Sequence, residues 1–322
     1  MYNLVFNNTS TYQIADTIKR EGYFFFENAL TNQYVEDLLQ EVDFNQFLIN
    51  TNDVGMVCSG NQKFLTHCLA KSKKAYDIIT SRQILDICKE YFNDGYRLTN
   101  HRIYQTSKNL HLPWHTDNNR QANNKITSKH NMPGLQFFFY LSDVTKNPFQ
   151  YLKNSHHWSR EVDEINLSDN LIYRKYKKDI VTFKMKKGSF IVCNTHGFHR
   201  AEPFQDRSYT RTTLLFQVDR VGSENLGHGE KNLVNTEYVD NPTQEVLDYL
   251  GFGFKTDYQA FPITSVATMT VQDVLALQRQ LLPLTLQAVG TSVAKAMLPK
   301  ATIIDVKRML WRLKRNRSRS KR

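Results

Sequence analysis

The run Gln136-Phe137-Phe138-Phe139-Tyr140-Leu141 constrains the fold of this chain more than any other stretch. Bounded by Pro133-Gly134 and Ser142-Asp143, it is a short apolar segment that reads as a buried central strand. Such a strand needs neighbours and cover, and the sequence offers both. Strand-like runs appear at Tyr23–Phe26, Tyr96–Gln105, Phe149–Leu152, Ile180–Met185, Ser189–Cys193 and Thr212–Val218. Turns at Lys146-Asn147-Pro148 and Lys186-Lys187-Gly188 separate several of them. Helical spacing appears over 12–21 (Ile14, Ala15, Ile18, stopped by Gly22), over 31–42 behind a Thr31 N-cap, and over 81–92. Residues 43–72 read as irregular. Many short strands behind a set of helices predict a mainly β, α+β fold: a double-sheet roll with helical cover.

The formal charge of +11 is informative only once it is located. Residues 300–322 hold ten Lys or Arg against one acid, Asp305, a charge of +9 that leaves +2 on residues 1–299. The body is nearly neutral, which disfavours a broad nucleic-acid-binding face. Beyond about residue 256 the character of the chain changes, so two regions are expected, 1–255 and a helical extension, 256–322, with a basic tail. In that extension Val271–Leu286 is apolar-rich and broken by Pro283. Thr302–Arg315 reads as a basic helix carrying Ile303, Ile304, Met309, Leu310 and Trp311. Residues 302–322 therefore suit packing on a protein surface or an anionic membrane surface, with nucleic acid the least favoured partner. Cys58, Cys68, Cys88 and Cys193 show no metal-knuckle spacing and read as free thiols. The opening residues lack a signal-peptide pattern, and no apolar run is long enough to span a bilayer, so a cytoplasmic protein is expected, with peripheral membrane contact as one of the two roles open to its tail.

The chemistry gathers around Trp114-His115-Thr116-Asp117. In extended chain, alternate side chains share a face, so His115 and Asp117 can reach one point together. With one distant histidine they would form the facial triad that holds Fe(II) and leaves positions open. Two histidines, His196 and His199, follow the strand Ser189–Cys193, and Arg207 and Arg211 lie further on as candidate arginines. Arg207 lies in a polar turn, where a solvated arginine is ordinary. Arg211 opens the last strand, with Thr213 on the same face, where a guanidinium can grip a carboxylate through two hydrogen bonds. His156 and His157 read as loop histidines, and Trp114 and Trp158 as packing. The polar stretch 118–133 reads either as a loop beside the pocket mouth or as a surface insertion.

Over roughly residues 12–218 the chain resembles the phytanoyl-CoA dioxygenase-like group of Fe(II)/2-oxoglutarate oxygenases. The resemblance is carried by IKREGYFFFENALTNQYVEDLLQEV, WHTD, QFFFYLSDVTKNPFQYLKNSHHWS, GSFIVCNTHGFHRAEP and RTTLLFQV. It implies a double-stranded β-helix of jelly-roll type, with Fe(II) held by His115, Asp117 and His199. It also implies Arg211 as the anchor of 2-oxoglutarate, Thr213 as its helper and dioxygen as the second co-substrate. The implied activity is hydroxylation of a small-molecule, lipid or glycan-type substrate, with 2-oxoglutarate decarboxylated to succinate. A catalytically silent binding protein of the same fold, localised by its basic tail, is the alternative. Where the family has glycine turns this chain has Asn147-Pro148 and Asn154-Ser155, and asparagine tolerates the left-handed backbone those turns need.

Overall fold

In the computed structural model the apolar run becomes an interior strand of a seven-stranded sheet. The structure describes residues 4, 6, 8–42, 44, 56–59, 62–65, 67–107, 114–116, 134–158, 166–203, 206, 208–221 and 232–253, with isolated positions between 275 and 293. Asp117, Arg207, the 118–133 stretch and the basic segment 302–322 lie outside the described residues. The chain divides into two compact units, Met1–Phe254 and Lys255–Arg322.

In chain order the first unit contains α1 (Thr11–Glu21), β1 (Tyr23–Phe26), α2 (Asn32–Glu41), β2 (Met56–Ser59), β3 (Gln62–Leu65), α3 (Cys68–Lys71), α4 (Lys73–Ile79) and α5 (Arg82–Phe92). Then come β4 (Tyr96–Ser107), β5 (Trp114–His115), β6 (Leu135–Tyr140), β7 (Phe149–Leu152), β8 (Asn166–Leu167), α6 (Asp169–Lys175), β9 (Ile180–Phe183), β10 (Phe190–Asn194), β11 (His199–Ala201), β12 (Thr210–Arg220) and α7 (Gln244–Leu250). The large sheet runs β1-β10-β6-β12-β4-β3-β2 and the small one β8-β5-β11-β7-β9, with antiparallel pairing throughout.

Alternation along the strands divides the apolar side chains between two layers. Phe137, Phe139, Phe190, Leu214 and Phe216 face the helices and pack with Ile14, Ile18, Leu38, Ile84 and Leu85. Phe138, Tyr140, Ile191 and Leu215 face the small sheet and pack with Phe149, Tyr151 and Phe183. A strand buried on both faces has no polar side, which is why β6 reads as an unbroken apolar run. Helix α1 is bounded by a capping box between Ser10 and Gln13 and by Gly22, which ends it at φ 90°.

Residues 43–72 hold more order than their sequence suggests: β2 and β3 form a hairpin that extends the large sheet through β4. The polar 155–178 region likewise contains α6, whose Ile172 closes over Trp114, Leu152 and Phe198 on the outside of the small sheet. In the second unit the described positions are helical and exposed, Leu275, Leu282, Leu286, Val289 and Val293 among them. Pro283 itself takes a helical position, where the sequence predicts a break. No helix among the described residues is long and apolar enough to cross a membrane.

Candidate active site

The short strands β5 and β11 bring the two candidate histidines together. His115 and His199 are direct cross-strand partners, and their rings lie 4.5 Å apart between centroids at 54°. Partners in register present their side chains on the same face of a sheet. His199 is buried, and its Nδ1 lies 3.0 Å from Gly197 O. A carbonyl only accepts, so Nδ1 carries a proton, and the neutral ring with that tautomer offers Nε2 to a metal. Asp117 lies two residues beyond His115, outside the described residues.

Tyr151 is the register partner of His199 on β7, and its hydroxyl donates to Asn194 O at 3.3 Å. A Cβ on Gly197 would stand 1.8 Å from that hydroxyl oxygen, so the turn leading into His199 has to be glycine for the tyrosine to lie beneath it. His196, the competing histidine, sits in this turn rather than on β11; its backbone N–H donates to Asn194 Oδ1 at 2.9 Å.

The arginine site lies at the start of β12. Arg211 is buried; its guanidinium donates to Asn147 O and to the Tyr104 hydroxyl at 3.4 Å, and lies 5.8 Å from the centre of the Tyr104 ring. Asn147 adopts φ 54° and Asn154 φ 62°, so both turns use asparagine in the left-handed region, as their sequence predicts. Burial pushes the Tyr140 hydroxyl well above its ordinary range and keeps it neutral. Among the described residues, the buried Asn147 Oδ1 has no partner here, and neither do two atoms on β12, Arg211 Nε and Thr213 Oγ1. Both belong to side chains on one face of β12, two residues apart, and both can donate. A carboxylate, which only accepts, fits that pair.

Behind the histidines lies a feature that the sequence reading missed. Arg200 is 2% exposed and points away from His199, to the outer face of the small sheet. Its Nε donates to Gln150 Oε1 at 2.9 Å, Nη1 to Asp169 Oδ1 at 2.6 Å and Nη2 to the Tyr173 hydroxyl at 2.8 Å. Its guanidinium stacks 4.7 Å from the Trp114 ring centre. The neighbours of both iron-ligand candidates, Trp114 and Arg200, thus clamp β5 to β11. A charged residue next to a site histidine in a strand was the available signal. His156 and His157 lie in a 3-10 turn rather than a strand; their Nε2 atoms meet Lys19 O and Arg20 O at 3.1 and 3.4 Å, at the end of α1.

A family model described as phytanoyl-CoA dioxygenase matches residues 18–209. The chain belongs to the phytanoyl-CoA dioxygenase family. That family is one of Fe(II)/2-oxoglutarate oxygenases, and solved structures with the same architecture include several more. HygX from Streptomyces hygroscopicus, with nickel and 2-oxoglutarate bound, shares 15% identity at a TM-score of 0.50, over 65% of this chain and 86% of its own. The α-ketoglutarate-dependent carbocyclase SnoK from nogalamycin biosynthesis shares 14% at 0.50, over 69% and 92%. EctD from S. alaskensis, in its apo form, shares 15% at 0.53, over 72% and 85%. At such identities the likeness shows the fold. No curated protein matches the chain significantly. Within the phytanoyl-CoA dioxygenase family, then, this member carries a histidine pair on the small sheet and, on β12, an arginine and a threonine with one unsatisfied polar atom each.

Proposed function

We propose that the chain is an Fe(II)- and 2-oxoglutarate-dependent dioxygenase that hydroxylates a small molecule. His115, Asp117 and His199 would hold the iron, and Arg211 with Thr213 the far carboxylate of 2-oxoglutarate. The observation that carries this reading is the register pairing of His115 with His199, on the same face of a sheet that looks toward the unsatisfied donors of Arg211 and Thr213. The family match and the nickel and 2-oxoglutarate bound to HygX support it.

When bound, iron and 2-oxoglutarate supply the oxidising chemistry: dioxygen, 2-oxoglutarate and a substrate C–H become succinate, carbon dioxide and a C–OH. The protein's part is to bind and orient. The Gly197 carbonyl holds the proton of His199 on Nδ1 and orients the ring, so Nε2 is the nitrogen offered to a metal. The hydroxyl of Tyr104 and the carbonyl of Asn147 hold the guanidinium of Arg211 flat, leaving its Nε for the carboxylate. Phe138, Phe149 and Leu215 line the interior and exclude water along the way.

Anaerobic titration of Fe(II) and 2-oxoglutarate into the protein should produce a weak visible absorption band at about 500 nm, expected of a bidentate keto acid on iron with this ligand set. His199→Ala should abolish it. Folded protein that binds neither iron nor 2-oxoglutarate would sink the reading.

A further inference from the structure

Across the roll from the two histidines, the large sheet carries a rung of amide and thiol side chains. Cys193 on β10, Gln136 on β6, Gln217 on β12 and Asn100 on β4 are successive cross-strand partners. Alternation turns them inward, because Ile191, Phe138, Leu215 and Tyr104, two or four residues along the same strands, belong to the inner core. The height of the rung is fixed from the small sheet. Phe149 meets Phe138 at 4.6 Å between ring centres, and Tyr151, the partner of His199, bonds to Asn194, the residue after Cys193. The rung therefore stands level with His199, one step beyond the apolar layer.

Gln217 is tied down: its Nε2 donates to both oxygens of Asp219 at 3.0 Å, and Thr99 Oγ1 donates to the same carboxylate at 2.6 Å. Its neighbours are not. Gln136 and Asn100 are 5% and 3% exposed, yet neither makes a side-chain hydrogen bond among the described residues, and Asn100 Oδ1 is sealed from solvent. A buried amide left without partners is destabilising. Asn100 Oδ1 is sealed in this way, while the Gln136 amide, also unbonded, stays open to the interior; two free amides in one rung, opposite the histidine pair, form a surface that can exchange hydrogen bonds with something that enters. An acyl chain would leave both amides unsatisfied, whereas a ring bearing several hydroxyls offers each a donor and an acceptor.

We propose that Asn100 and Gln136, with Gln217 held fixed between them, form the recognition floor for the molecule to be oxidised, and that this molecule is a polyhydroxylated, sugar- or cyclitol-like compound rather than a lipid or acyl thioester. The inference rests on the oxygenase reading above. Bidentate amide contacts to vicinal hydroxyls would set which carbon faces the histidines.

The test uses the full chain loaded with Fe(II) and 2-oxoglutarate, following succinate released under air. The probes are glucose, N-acetylglucosamine, UDP-N-acetylglucosamine and myo-inositol on one side, palmitate and palmitoyl-CoA on the other. A sugar or cyclitol should raise succinate release in the wild type. Gln136→Leu and Asn100→Leu should each cut that response at least tenfold while the anaerobic 2-oxoglutarate band is retained. The proposal is overturned if, with the band present in wild type, the sugar set is silent or only the acyl probes act. A sugar response that survives both substitutions overturns it as well. A wild type without the band overturns the oxygenase reading itself, and this inference with it.

Discussion

Thr213 and Arg211 differ in what each substitution should cost. The hydroxyl of Thr213 is buried with no partner among the described residues, so removing it forfeits no bond to them. Thr213→Val keeps the shape, and deleting an unsatisfied polar atom is neutral or stabilising. The melting temperature should therefore hold or rise, while 2-oxoglutarate affinity falls about tenfold, roughly 1.4 kcal/mol for one bond to a charged acceptor. Arg211→Lys should lose more, about a hundredfold, because a point charge cannot reproduce the fork that also engages Asn147 and Tyr104. Calorimetric titration of 2-oxoglutarate beside a thermal melt separates the two effects. A lower melting temperature with unchanged affinity in Thr213→Val would mean that the hydroxyl serves the fold and not the co-substrate.

The small sheet holds its histidines through contacts distant in sequence, and this explains which parts of the molecule were legible beforehand. Strands β6, β10 and β12 could be read directly, since a run buried on both faces is apolar whatever its partners. His115 and His199 could be read because they lie in compact local motifs. The hairpin of β2 and β3 could not: its four-residue strands owe their place to pairing with β4. Helix α6 was hidden because only Ile172 of its seven residues is buried. The Arg200 clamp joins residues 50, 31 and 27 positions away, a separation that no local pattern encodes. Its consequence can be measured. Arg200→Lys keeps the charge but loses the fork and much of the stack on Trp114, which should cost about 3 kcal/mol of stability, as breaking a buried charge network does. If the clamp also sets the angle between β5 and β11, Fe(II) affinity of the folded variant should fall about tenfold, the usual effect of a group supporting a metal ligand. Unchanged iron affinity at a temperature where the variant is fully folded would restrict Arg200 to holding the sheet together.

The stability of the whole domain carries one pH signature that is independent of the site. His101 lies on the helix-facing side of β4, 1% exposed, and burial, reinforced by the nearby His67, lowers its pKa from 6.5 to about 3. Its Nδ1 accepts from the Leu69 N–H at 3.4 Å and lies 3.3 Å from Cys68 Sγ, while Nε2 has no partner among the described residues. The folded protein therefore keeps this ring neutral where the unfolded chain takes up a proton. Between pH 6.5 and about 3 the unfolded state binds the extra proton, so stability is full above 6.5 and declines as pH falls through that window. The slope approaches about 1.4 kcal/mol per pH unit, or about 2 kcal/mol between pH 6.5 and 5, a range that lies above the ordinary carboxylate values. His101→Gln retains an acceptor for Leu69 and removes the titration. Denaturant unfolding of both proteins at several pH values, in one metal-free buffer, should give curves that converge toward pH 5. The variant is less stable at neutral pH but loses less on acidification. Parallel curves would show that His101 is protonated in the folded state as readily as in the unfolded one, and that the joint between α3 and the large sheet is wetter than its packing implies.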